Sequence, residues 1–165
     1  MRTAMNGLCA VALAALLAGC GFELRGGGDL PPAMKTLHVQ AGPATGTTLD
    51  ELRQIVESSG GRVLKTRQGA SGVLRITGDE NRRRVLTVKS SGKVNEYSYE
   101  QTLRFQVTDA QGKELVAEQS VQVQRDFLFD EQDVIGHGRE EGALLAQMRR
   151  DAVHAMLRKI RAQLK

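Results

Sequence analysis

Cys20 directly follows Leu17, Ala18 and Gly19, an order of residues suited to one covalent chemistry. Arg2 supplies a basic start, residues 8–17 an apolar stretch, and Ala18 and Gly19 a small pair ahead of the thiol. That is the lipobox grammar of a bacterial lipoprotein signal. A lipoprotein signal peptidase cuts before such a cysteine; its sulfur carries diacylglycerol and its new amine an acyl chain, palmitate by the usual rule. The apolar run is about ten residues, short of the roughly 20 that a spanning helix requires. Residues 1–19 are therefore expected to be a removed signal and not a permanent span. The competing reading is an ordinary secretory signal that happens to be cut near a cysteine, and the position of Cys20 immediately after the small pair argues against it.

Cleavage removes Cys9 with the signal, and lipid occupies Cys20, so the mature chain is expected to have no thiol for a disulfide, a metal or nucleophilic catalysis. Acyl chains contribute about 0.8 kcal/mol per buried methylene, and the several chains of a lipoprotein anchor stably where one alone binds reversibly. Gly21, not Asp, follows the cysteine, which by the enterobacterial sorting rule implies the outer membrane. The expected location is the periplasmic side of that membrane, with the lipid in its inner leaflet. Loss of Arg2 lowers the formal net charge from +4 to +3, a mild excess that allows an anionic partner such as a headgroup or phosphate. No nucleic-acid partner is expected.

The other reactive side chains do not assemble into a catalytic pattern. His38, His137 and His154 stand at no metal-ligand spacing. Gly26-Gly27-Gly28 has no strand before it and lacks the phosphate-cradle spacing, and no G-x-S-x-G elbow occurs. A triad drawn from distant positions is not tested by spacing, but no cofactor, metal or enzymatic activity is expected. Binding is better served. Lys89 and Lys93 flank Ser90-Ser91-Gly92 at what should be a turn between strands, where they could converge on an anion. Arg82-Arg83-Arg84 would point alternately to both faces of an extended segment and could not all grip one ligand.

These residues need elements to hold them. Three glycines and Pro31-Pro32 make 20–32 a tether, and 33–165 is expected to form a single domain. Leu37 and Val39 predict a brief strand over 34–40. Thr48 with Glu51 is a capping-box pattern, and Leu49, Leu52, Ile55 and Val56 share one face of a helix that Ser59-Gly60-Gly61 stops. From Gly61 the apolar period changes to two. Val63-Leu64 begins or precedes this region, and 73–77 with 85–88 reads as two strands or as one interrupted near Gly78-Asp79. Tyr97, Tyr99, Leu103, Phe105 and Val107 then alternate with polar residues; Asp109-Ala110-Gln111-Gly112 is a turn, and Leu115 to Phe127 repeats the pattern. A sheet with one dry face needs a cover, and the stripe Leu145, Met148, Ala152, Val153, Met156, Leu157, Ile160, Leu164 supplies one in a helix over about 139–164. The predicted class is α+β: two helices packed on one face of a mixed, mostly antiparallel four-stranded sheet.

The layout resembles the LptE family of lipopolysaccharide-assembly lipoproteins, also called rare lipoprotein B. The matching residues are Cys20-Gly21-Phe22-Glu23-Leu24-Arg25-Gly26, the 92–99 turn and strand start with Glu96-Tyr97, Arg125-Asp126-Phe127-Leu128-Phe129-Asp130, and Met148-Arg149-Arg150-Asp151-Ala152. The resemblance implies a non-enzymatic lipoprotein that plugs the outer-membrane β-barrel LptD, assists its assembly and binds lipopolysaccharide during insertion into the outer leaflet. The family's lipopolysaccharide contacts are basic residues at a strand-turn-strand end and before the last helix. Here Ser90 occupies the first position, beside Lys89 and Lys93, and His137, Gly138 and Arg139 stand at the second. Lys89, Lys93 and Arg139 are thus the candidate lipopolysaccharide residues. A pilot lipoprotein escorting another outer-membrane channel is the alternative, and a periplasm-facing hydrolase a third class.

Overall fold

The computed structural model describes residues 30–42, 45–129 and 134–164. The signal, Cys20 and most of the tether lie outside them. A short helix α1 (Pro32–Lys35) leads into strand β1 (Thr36–Ala41), and helix α2 (Gly46–Ser58) into β2 (Arg62–Leu64). Three long strands follow, β3 (Gly72–Val88), β4 (Val94–Thr108) and β5 (Glu114–Leu128), and helix α3 (Val134–Gln163) ends the described chain.

The strands form one sheet in the order β2-β1-β3-β4-β5. The expectation of four strands in a mostly antiparallel sheet is corrected on both counts. Arg62–Leu64 is a fifth strand, and the sheet is mixed: β1 runs parallel to both β2 and β3, whereas β3-β4 and β4-β5 are antiparallel. The reason is the crossover through α2. A strand reached by a helical connection returns parallel to its predecessor, and β2 is only three residues long, too short to show alternation. The region 73–88 is a single strand, with its register shifted between Ile76 and Gly78 where Thr77 is bulged out.

Other boundaries differ from the pattern, and α3 starts at Val134, five residues before the expected 139. Residues 32–35 turn as a helix, so the first strand starts at Thr36 instead of 34; Pro32 at the first helical position suits such a turn. α2 begins at Gly46, before Thr48, and no side-chain bond caps its start. The Thr48 hydroxyl donates instead to Asp79 Oδ2 at 2.6 Å, so the capping box is not formed.

One buried cluster joins the layers. Leu37, Leu74, Ile76, Leu103, Phe105 and Val107 of the sheet meet Leu52 and Val56 of α2 and Ala152, Val153, Met156, Leu157 and Ile160 of α3. Of the apolar stripe read from the sequence, Met148, Ala152, Val153, Met156, Leu157 and Ile160 are the buried face of α3, whereas Leu145 is half-buried and Leu164 lies just past the helix end. Further along the strands the same side of the sheet turns polar: Gln101 Nε2 donates to Asp79 Oδ1 at 2.5 Å, and Asn81 Nδ2 donates to Gln101 Oε1 at 3.1 Å. Asp79 thereby accepts from both α2 and β4, which satisfies the otherwise buried Thr48 and Gln101.

Candidate functional site

Beyond the apolar cluster β3 and β4 continue as a hairpin, and every residue from 81 to 92 is exposed. Its turn is closed by two backbone bonds, Lys89 N to Lys93 O at 2.7 Å and Gly92 N to Lys89 O at 2.9 Å. Gly92 takes φ +80° there, in the left-handed region that a residue without Cβ enters freely. The turn thus brings Lys89 and Lys93 side by side at the hairpin end.

The same end carries aliphatic surface. Val85 is 54% exposed, Leu86 48%, Val88 60% and Leu128, on the adjoining strand, 63%. The register explains why both faces of the hairpin end are apolar. Val85 lies opposite Tyr97, on the helix side, whereas Leu128 lies opposite Glu96, on the other; Leu86 falls in a register shift between Val85 and Thr87. Two cations beside four exposed aliphatic side chains match an anionic amphiphile, with the ammonium groups for its charged head and the aliphatic groups for its chains.

Behind the tip the hairpin is braced against α3. Tyr99 OH donates to Glu141 Oε1 at 2.5 Å, and Arg83 Nη1 lies 3.4 Å from the same oxygen. Arg83 also sits over the Tyr97 ring, 4.7 Å from its centroid, a cation–π geometry. Tyr97 packs edge-on to Phe129 at 5.6 Å and Tyr99 to Phe127 at 6.2 Å. Burial raises the Tyr99 phenol above its ordinary value, and the bond to Glu141 adds to this. Its hydrogen bond to Arg83 is the largest influence on that guanidinium and holds it above the usual arginine value.

Arg139 stands apart from the lysines. It is exposed on α3, two residues before Glu141, and Glu141 meets the hairpin at Arg83. Arg83 precedes Lys89 by six residues, roughly 20 Å of extended strand at about 3.3 Å per residue. The three adjacent arginines do not grip one ligand: Arg82 pairs with Glu80, Arg83 with Glu141 and Arg84 with Glu100. Sequence reasoning missed the aliphatic tip and the Arg83–Tyr99–Glu141 brace. The first had a signal, since the adjacent pair Val85-Leu86 breaks an otherwise two-residue period, but the brace joins residues 42 apart with no pattern between them.

Among the described residues no group of three or more His, Cys, Asp or Glu is placed to hold a metal, and no helix is long and apolar enough to cross a membrane.

Residues 34–160 match the family model LptE, lipopolysaccharide-assembly. The LPS-assembly lipoprotein LptE of Pectobacterium atrosepticum is 29% identical over 153 residues, 88% of this chain and 78% of that protein. Among solved structures, lipoprotein B of Nitrosomonas europaea superposes with a TM-score of 0.73 at 26% identity, over 86% of this chain and 91% of that one. The rare lipoprotein B of Shewanella oneidensis gives 0.65 at 22% identity, over 76% and 92%, a likeness of fold.

Proposed function

We propose, because this chain belongs to the LptE family of lipopolysaccharide-assembly proteins, that it is an outer-membrane lipoprotein acting as plug and assembly factor for the β-barrel LptD. In this reading residues 1–19 are the signal, Cys20 carries the lipid that anchors the chain in the inner leaflet, 20–32 is the tether and 33–165 the working domain. The domain faces the periplasm and binds lipopolysaccharide. Its work is binding and assembly, not catalysis.

The observation that carries this reading is the hairpin tip. Lys89 and Lys93 share a turn with exposed Val85, Leu86 and Val88, and lipopolysaccharide joins phosphorylated sugar to acyl chains, the same pairing of charge and grease. Arg139 is a second contact, reached by a different part of the ligand. A polar lumen of the kind large outer-membrane barrels enclose also suits the open face of the sheet, where Thr77 bonds Glu118, Arg75 bonds Gln40 and Arg104 pairs with Glu80.

The test is a pull-down of C-terminally tagged protein from detergent-solubilised outer membranes, with copurifying species identified by mass spectrometry. A stoichiometric LptD-like barrel is expected. Recovery of a ring-forming channel instead would favour a pilot role, and folded, lipidated protein with no barrel would end the plug reading.

A further inference from the structure

β5 ends the sheet, and among the described residues no strand lies on its outer side. The register fixes which backbone groups point there. Phe129 N donates to Asn95 O at 2.9 Å, and the ladder continues through Tyr97↔Phe127, Tyr99↔Arg125 and Gln101↔Val123. Odd-numbered residues of this stretch therefore bond to β4, and the amides and carbonyls of Gln122, Gln124, Asp126 and Leu128 face outward. Ser120 belongs to the outward set, and its carbonyl accepts a bond from Lys159 Nζ at 3.0 Å. α3 thus takes up the outward carbonyl of Ser120. From Gln122 to Leu128 the pairing with β4 is continuous, and this stretch has no bulge, proline or lysine, three of the devices by which natural sheets discourage added strands; its charges are Arg125, paired with Asp151, and Asp126.

A groove between this edge and α3 is lined by Arg125, Asp151, His154, Ala155 and Arg158. Asp151 is already engaged, by Arg125 at 3.0 Å and by Gln147 at 2.9 Å. Arg158 has no carboxylate partner among the described residues, so the groove presents a net cation. A strand laid on the edge would send alternate side chains into it.

We propose that an extended segment of the barrel partner, acidic at alternate positions, adds to the sheet along residues 122–128. Its backbone takes the outward amides and carbonyls of Gln122, Gln124, Asp126 and Leu128, as in other strand-addition complexes. Its groove-side carboxylates meet Arg158. This rests on the barrel-partner reading above, and it specifies which surface the partner uses and by what chemistry.

The experiment is residue-resolved hydrogen exchange on the lipidated protein, alone and copurified with its barrel. The amides of Gln122, Gln124 and Asp126 should exchange rapidly in the free protein and at least tenfold more slowly in the complex. Gln124→Pro removes one outward amide while leaving the β4 ladder intact, a change edge strands accommodate; it should lower the yield of complex, whereas Gln124→Ala should not. A complex in which these amides stay fast overturns the proposal. So does protection in the free protein that grows with concentration, because a second copy would then occupy the edge. Recovery of no barrel is seen before any exchange is measured; it overturns the barrel-partner reading and this proposal with it.

Discussion

Tyr99 donates a 2.5 Å hydrogen bond to Glu141 Oε1, and through it the middle of β4 is tied to the early turns of α3. The ring is buried and the carboxylate is only partly so. Removing the hydroxyl leaves Glu141 paired with Arg83 at 3.4 Å.

Tyr99→Phe should cost about 1.5 kcal/mol in urea unfolding, at the lower end for a bond to a charged group because Glu141 retains access to water. The pH dependence has a definite sign. The folded-state pKa is raised above the ordinary 10.0, so the folded state holds the phenolic proton more tightly than the unfolded chain does. That contribution is complete below pH 10 and is lost as pH rises through the raised value. The wild type should lose stability over this alkaline range more steeply than the Phe variant; equal slopes would remove the Tyr99 contribution.

Asp79 is the acceptor shared by Thr48 and Gln101. Asp79→Ala leaves two buried donors without it and should destabilise by about 3 kcal/mol. Asp79→Asn, which keeps one acceptor oxygen, should cost less. A double-mutant cycle with Thr48→Val should return a coupling of roughly 1 kcal/mol, and additivity within error would show that the 2.6 Å bond contributes little.

Two glycines of β3 should respond differently to alanine. A Cβ on Gly72 would run into the backbone carbonyl of Ala33, which cannot swing aside without moving α1, so Gly72→Ala should cost about 2 kcal/mol or more. A Cβ on Gly78 would meet the side chain of Arg104, whose head is half exposed and free to shift. Gly78→Ala should stay below about 1 kcal/mol. Thermal melts of the two variants decide it.

Replacing Lys89 and Lys93 together with Ala should weaken lipopolysaccharide binding by roughly tenfold at low salt, on the order of 0.7 kcal/mol per exposed charge. The deficit should shrink as salt is added. Val88→Ser with Leu128→Ser should also weaken binding, but with a deficit that salt does not diminish, since that loss is of apolar contact. Unchanged affinity in the lysine variant would reject a role for the turn.

The parts of the fold most legible in the sequence were those whose residues answer to a single nearby partner. The alternation from Tyr97 to Val107 gave the inner face of β4 correctly because its apolar members Tyr99, Leu103, Phe105 and Val107 are all buried on the helix side. The stripe from Met148 to Ile160 is buried as predicted, for the same reason. β2 escaped because three residues cannot display a period, and its partner β1 is 26 positions away. Thr48 misled because a hydroxyl can cap its own helix or reach a distant carboxylate, and only the tertiary placement of Asp79 decides between them. At the site, Lys89 and Lys93 were legible as neighbours through the turn residues between them. Arg139 depended on resemblance alone, and the exposed edge of β5 was invisible, since edge or centre is a property of strand order.

The parallel strand β1 lies between β2 and β3, both of which follow it in the chain. Its pairing with β3 spans 35 residues, whereas β3-β4 and β4-β5 close through short local turns. Because long loops cost more entropy to close than short ones, the three-stranded meander should form before β1 is inserted beside it. A chain threaded into the periplasm from its N-terminus would therefore present β1 first and dock it late. During that interval the edge of β3 that β1 later covers stands open, so the nascent meander is bounded by two long strands, β3 and β5, whereas the finished sheet is bounded by the three-residue β2 and by β5.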